Sequence, residues 1–148
     1  MKTIPRAVFV IVINGDKVLF VRHGEDSGNP AGTYGLPGGK IEPQEGPNQT
    51  GVRELFEETG IIAPPADLVQ LGSYSIDIET KNGMEPWTVE LYLCKQFEGQ
   101  IRQGEKSEVP AWVRIADVLG GRYKMPRMSR GYLSVVMRVL REQRRPLR

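Results

Sequence analysis

Residues 39–61 read GKIEPQEGPNQTGVRELFEETGI, and the second half of that stretch decides the fold. From about residue 47 to residue 59, Val52, Leu55, Phe56 and Thr59 recur at helical spacing, and Gly60 follows where a left-handed C-cap belongs. The spacing predicts a helix. On it Glu54, Glu57 and Glu58 stand at i, i+3 and i+4, which gathers three carboxylates within an arc of roughly 100° on one face. Val52, Leu55 and Phe56 are read onto the opposite face, where they would anchor the helix in a core.

An isolated E-x-x-E-E run is most simply a solvated helix face. Two costs argue against that here. Glu54 and Glu58 form a like-charged i,i+4 pair, and Glu57 and Glu58 lie near the helix C-terminus, where the macrodipole disfavours anions by a few tenths of a kcal/mol or more. Local stability would favour Lys at these positions. A bound divalent cation reverses the penalty, and an all-oxygen ligand set points to Mg²⁺, with Mn²⁺ as the alternative, rather than zinc. Arg53 can reach Glu57 one turn on, as a plain helix salt bridge or as a guanidinium that orients an acidic side chain and lowers its pKa.

Working outward, residues 7–13 and 17–22 are short aliphatic runs on either side of Asn14-Gly15-Asp16, a hairpin signal. Residues 24–39 read as a glycine-rich loop. Pro64-Pro65 breaks the chain before a strand over 68–78, which leads into the turn-like Lys81-Asn82-Gly83 and a second strand over 87–97. A polar loop, 98–108, precedes a short strand around Trp112 and Val113 and a helical turn over 115–119. Ser129 is read as the cap of a final helix reaching about Gln143, with Leu133, Val136, Met137 and Leu140 on its buried face. Strands interleaved with two principal helices indicate one layered α/β domain over residues 1–148.

Composition narrows the function classes. Twenty Lys and Arg against eighteen Asp and Glu in 148 residues leave a net charge of +2, which argues against a nucleic-acid polymer or a membrane surface as partner. Lys2 and Arg6 before the apolar run look like a weak signal peptide, but no A-x-A-like cleavage site follows. Cys94 is the single cysteine and cannot form an intramolecular bridge. The expectation is a soluble, cytoplasmic protein.

Gly39, five residues, Glu45, seven residues, and then Arg53-Glu54-Leu55-Phe56-Glu57-Glu58-Thr59-Gly60-Ile61 match every defining position of the Nudix box. At background usage near one in fifteen or twenty, seven fixed identities coincide on the order of once in 10⁸ to 10⁹ placements. The chain therefore resembles the Nudix hydrolases, and flanking features extend the resemblance: Gly35-Leu36-Pro37-Gly38-Gly39 before the box, and Glu108 four residues ahead of Trp112. Tyr34 stands where many members have Trp, and Gly51 where Ala is common.

The resemblance implies an α/β/α sandwich with a mixed β-sheet between helices. It implies metal ligation by Glu57, Glu58 and the Gly38 carbonyl, with Glu54 a further ligand or the base that activates water. Glu45 would reach the site from its loop. An extra acid from a distant loop is expected, Glu108 first and Glu105 second. The implied reaction is Mg²⁺-dependent hydrolysis of a pyrophosphate bond in a small nucleoside diphosphate derivative. A nucleoside triphosphate cleaved to monophosphate and pyrophosphate is favoured in MutT-like fashion, over ADP-ribose, nucleotide sugars or dinucleoside polyphosphates. Homodimers are common in the family. A catalytically silent nucleotide sensor ranks below the enzyme because no box carboxylate is missing, and a plain acidic-helix interaction protein ranks last. His23 is read as a solvated turn residue, with a phosphate contact as the lesser alternative, and Trp87 and Trp112 as core aromatics rather than base-stacking platforms.

Overall fold

Strand β1 (Arg6–Asn14) is buried on both faces, and the alternation of its side chains explains how the layers form. Val8, Val10 and Val12 point to one side and pack with Leu55, Ile61 and Leu68; Ile11 and Ile13 point to the other and pack with Val118, Val136 and Leu140. The computed structural model describes residues 3–25, 31–80, 82–104, 108–126 and 131–144. Helix α1 (Pro47–Thr59) covers the first face of the sheet, and helices α2 (Ile115–Leu119) and α3 (Leu133–Gln143) cover the second. The expected α/β/α sandwich is what the chain adopts.

The sheet contains β2 (Lys17–Arg22), β3 (Tyr34–Gly35), β4 (Gly38–Lys40), β5 (Leu68–Thr80), β6 (Gly83–Cys94) and β7 (Val109–Arg114), besides β1. It is mixed, since β1 and β6 run parallel from Arg6↔Thr88 to Val12↔Cys94 while the other pairings are antiparallel. The hairpin at Gly15, which takes φ 62°, pairs β1 with β2 only at Ile13↔Val18 and Asn14↔Lys17. Beyond that point the two strands diverge. The fork is filled by the next segment of chain, β3 pairing with β2 at Arg22↔Tyr34 and β4 with β1 at Phe9↔Gly38. The end of the glycine-rich segment expected to be loop is therefore short strand, Tyr34–Gly35 and Gly38–Lys40, which pairs backbone donors and acceptors that the fork leaves open.

Three further expectations change. Phe56 was assigned to the core face of α1 but is 43% exposed, lying beneath the Arg102 guanidinium at 4.9 Å; Thr50, Gly51, Leu55 and Thr59 form the buried stripe. The second strand of the long hairpin begins at Gly83 rather than 87 and ends at Cys94 rather than 97, because pairing with β5 extends out to Thr80↔Gly83. Lys81 of the proposed turn lies outside the described residues. Helix α3 starts at Leu133 with Tyr132 in the capping position, and Val139 joins Val136 and Leu140 in the core while Leu133 and Met137 are only partly covered. Ser129 lies outside the described residues.

Gly51 does meet a strand closely: a Cβ there would sit 3.0 Å from Leu68 and 3.4 Å from Val10. Glycine lets α1 seat this near β1 at a propensity cost of up to about 1 kcal/mol. Glu90, buried on β6, accepts hydrogen bonds from the Ser73 hydroxyl, Gln70 (2.8 Å) and Arg6 (3.2 Å), which ties β5 and β1 across it. No helix among the described residues is long and apolar enough to cross a membrane.

The different surroundings of adjacent positions give a direct check on the seating of α1. Leu55 is fully buried, so Leu55→Ala is expected to cost about 2–5 kcal/mol in denaturant unfolding. Phe56→Ala is expected to cost about 1 kcal/mol or less, the loss of an exposed cation–π contact.

Candidate active site

The strand that fills the fork also builds one wall of the site. Gly38 lies so near β1 that a Cβ would collide with the Val8 carbonyl oxygen, and a Cβ on Gly39 would stand 2.6 Å from the Glu54 carboxyl carbon. These two glycines let a backbone and a carboxylate occupy space that any side chain would fill. The Gly38 N–H donates to Glu58 Oε2 at 2.9 Å, a bond that joins the wall to helix α1. At the helix start, Pro47 occupies the first turn and the Gly46 N–H donates to Gln49 Oε1 at 2.8 Å. At its end Gly60 takes φ 85° and donates to the Phe56 carbonyl, as the spacing predicts. Arg102 reaches the same carbonyl at 3.2 Å, so a cation offsets the negative end of the helix that carries Glu57 and Glu58.

Arg53 organises the acids. Its guanidinium grips Glu45 through two bonds of 2.9 Å and reaches Glu54 at 3.2 Å and Glu57 at 3.1 Å. Glu45, also bonded by the Thr50 hydroxyl at 3.1 Å, is directed onto Arg53 and does not line the acidic cavity. The sequence had Arg53 lowering the pKa of a cluster acid. The guanidinium does hold Glu45 below the usual carboxylate range. Glu54 nevertheless goes up, because burial outweighs the pull of Arg53, and Glu58 is pushed well up by burial, with the Glu108 charge adding to it and the Gly38 amide opposing it.

A cavity of about 360 Å³ is lined by Gly38, Gly39, Lys40, Glu42, Glu54, Glu57, Glu58 and Glu108. The structure thus brings together Glu54, Glu57, Glu58, Gly38 and Glu108; Glu105 lies outside the described residues. Lys40 and Glu42 were not singled out from sequence. Lys40 sits inside the box, where the signal was available, one residue past the glycine whose backbone forms the wall. A second cavity of about 510 Å³ opens on the α3 side of the sheet and shares Gly38, Gly39, Lys40, Glu58 and Glu108 with the first. Phe9, Trp87, Tyr132, Ile78 and Leu36 give it an apolar lining. Trp87 packs against the core as expected and also lines this cavity, and its buried indole nitrogen has no hydrogen-bond partner among the described residues. Trp112 packs too, stacked on Phe97 at 5.4 Å on the α1 side.

His23 departs most from expectation. It is 7% exposed rather than solvated, lines the larger cavity, and carries a buried Nδ1 that lacks a hydrogen-bond partner among the described residues. Such an atom costs on the order of 1–3 kcal/mol when left unpaired. The apolar residues before it gave no sign of this, because burial at a strand end depends on which loops fold over it.

The donor set fits a hard divalent cation, with the α1 carboxylates, Glu108 and the Gly38 backbone lining one cavity and two of the acids desolvated beside like charges. Among the described residues, no three such groups already lie within direct ligand reach of one point. Arg53 engages Glu54 and Glu57, and the Gly38 amide engages Glu58.

Comparison with known proteins follows the same lines. A family model described as NUDIX domain matches residues 3–133. A Bacillus subtilis (strain 168) protein named "Putative 8-oxo-dGTP diphosphatase YtkD" is 42% identical over 72 residues, which are 49% of this chain and 40% of that relative, so less than half of the relative is matched. Among solved structures, the MutT protein from Bacillus halodurans is 25% identical with a TM-score of 0.74, covering 93% of this chain and 82% of its own. The E. coli ORF135 protein is 25% identical with a TM-score of 0.72, covering 95% and 93%.

The buried acids have a consequence for stability. A carboxyl whose folded pKa is raised favours the folded state only while protonated; the penalty is absent below the ordinary value of 4.5 and develops as pH climbs through the raised one. With no divalent cation added, Glu58→Gln is therefore expected to raise the thermal midpoint at pH 8. The gain should vanish below about pH 4. Calorimetry across pH checks this, and a pH-independent difference would contradict it.

Proposed function

The chain belongs to the NUDIX domain family, and on that premise we propose that it is an enzyme hydrolysing the pyrophosphate linkage of a nucleoside triphosphate to give a nucleoside monophosphate and pyrophosphate. The observation that carries this reading is the junction of an acidic cavity with an aromatic one across Gly38, Gly39, Lys40, Glu58 and Glu108. The substrate class has that polarity: an apolar, flat base at one end and a charged polyphosphate at the other. The larger cavity is within the roughly 300–1,000 Å³ range of small-molecule sites, and Phe9 and Trp87 are of the kind that stack on a base.

Glu54, Glu57, Glu58 and the Gly38 carbonyl would hold Mg²⁺, with Mn²⁺ as a substitute. When bound, the ion neutralises phosphate charge and polarises the phosphorus under attack. Lys40, facing both cavities, meets the phosphate chain at the junction. Arg53 keeps Glu54 and Glu57 oriented through its 3.1–3.2 Å bonds and is itself fixed by Glu45. Because Arg53 engages Glu54, we assign the proton of the attacking water to Glu108, an acid that reaches the cavity from outside α1 and is largely covered there. The partly matched Bacillus subtilis relative, by its name, adds an oxidised guanine nucleotide to the candidate substrates.

The test is incubation with Mg²⁺ and a panel of ordinary and oxidised nucleoside triphosphates, ADP-ribose, nucleotide sugars and dinucleoside polyphosphates, with product phosphates followed over time. Release of pyrophosphate from a triphosphate is expected. Glu57→Gln should lower kcat by about a hundredfold or more, the scale on which one preorganised electrostatic group acts. Nucleotide binding without turnover would favour the sensor instead.

A further inference from the structure

The pairing of β2 with β7 sets two side chains against each other outside the box. The register Arg22↔Val109 is the last pair of that ladder, and one step further places His23 across from Glu108. Both side chains are largely covered, 8% and 14% exposed, and His23 Nδ1 stands 3.8 Å from Glu108 Oε1. That separation is too long for a hydrogen bond. Yet Nδ1 is buried and has no other partner among the described residues.

The imidazole has little freedom to look elsewhere. The His23 N–H donates to the Thr33 carbonyl, its own carbonyl accepts from Gly32, and Nε2 lies against Gly35 so closely that a Cβ there would be 2.9 Å away. Glu108 precedes β7 and faces Glu54 and Glu58 across the acidic cavity. A movement of about 1 Å by its carboxylate brings Oε1 into hydrogen-bond range of Nδ1. The other oxygen then remains for the cavity.

We propose that His23 is a positioning residue, whose Nδ1–H donates a hydrogen bond to Glu108 and aims that carboxylate into the acidic cavity. The imidazole acts through Glu108 and does not exchange a proton with the substrate. The role in turnover rests on the assignment of Glu108 as proton acceptor; the pairing itself does not. An orienting donor behind a carboxylate is a common device where the acid has like-charged neighbours that would otherwise turn it away.

The first readout needs neither substrate nor a His23 variant. Imidazole ¹⁵N–¹H spectra of the folded protein are expected to show Nδ1 protonated, with that resonance shifting strongly in Glu108→Gln. An Nε2-protonated ring that ignores Glu108→Gln overturns the proposal. The second readout separates a donor from a space-filler. An asparagine amide nitrogen can stand near the Nδ1 position and a glutamine amide nitrogen near Nε2. His23→Leu and His23→Gln should lower kcat about 10- to 100-fold with KM little changed, the range typical of a lost outer hydrogen bond, and His23→Asn should restore most of it. Equal rates for Asn and Gln, or an unchanged kcat in His23→Leu, contradict the role. If the wild type turns over no substrate while Nδ1 responds to Glu108→Gln, the hydrolase reading fails and the pairing stands.

Discussion

The hydrogen bond from the Gly38 amide to Glu58 joins the two halves of the site. One partner belongs to the strand that fills the fork between β1 and β2, the other to the helix packed across the first face of the sheet. Moving either would separate the backbone wall from the carboxylates opposite it. The bond exists because Gly38 has no Cβ to strike β1, and because Gly51 and Leu55 let α1 approach Val8 and Val10. Core packing and site geometry are therefore one constraint. The glycines of the motif answer to distances rather than to flexibility.

The charges follow from this placement. Leu55 draws the helix into the sheet, and Glu54 and Glu58, on either side of it in sequence, are carried into a partly desolvated cavity with it. Arg53 compensates for part of that cost, chiefly by locking Glu45 and reaching back to Glu54 and Glu57. It does not cancel the rise in Glu54, where burial dominates. A site whose own electrostatics disfavour its charged form is one that a divalent cation would stabilise strongly.

The parts legible in the sequence are those governed by neighbours along the chain: α1 with its Gly60 cap, the Asn14-Gly15-Asp16 hairpin, the carboxylate spacing, and the order of strands and helices that makes an α/β/α sandwich. What escaped depends on distant partners. Phe56 has the hydrophobicity of a core residue but lies off the buried stripe of α1, where its ring meets Arg102, 46 residues away in the loop after β6. Tyr34-Gly35 and Gly38–Lys40 carry loop-like glycines and become strand only because β1 and β2 diverge. His23 and Glu108 are 85 positions apart, and their meeting is a matter of register between β2 and β7, which no local pattern encodes. Trp87 is core-like by composition and packs against the core, but its place in the cavity lining depends on distant partners such as Phe9 and Tyr132.

The central claim is that the carboxylates of α1 form a divalent-cation site. Mn²⁺ titration followed by electron paramagnetic resonance, on the wild type and on Glu58→Gln, tests it without reference to any substrate. The account predicts saturable Mn²⁺ uptake by the wild type, displaced by Mg²⁺ and weakened at least about tenfold in the variant, as loss of one charged oxygen ligand should do. Equal affinity in the two proteins, or no saturable uptake by the wild type, would contradict it.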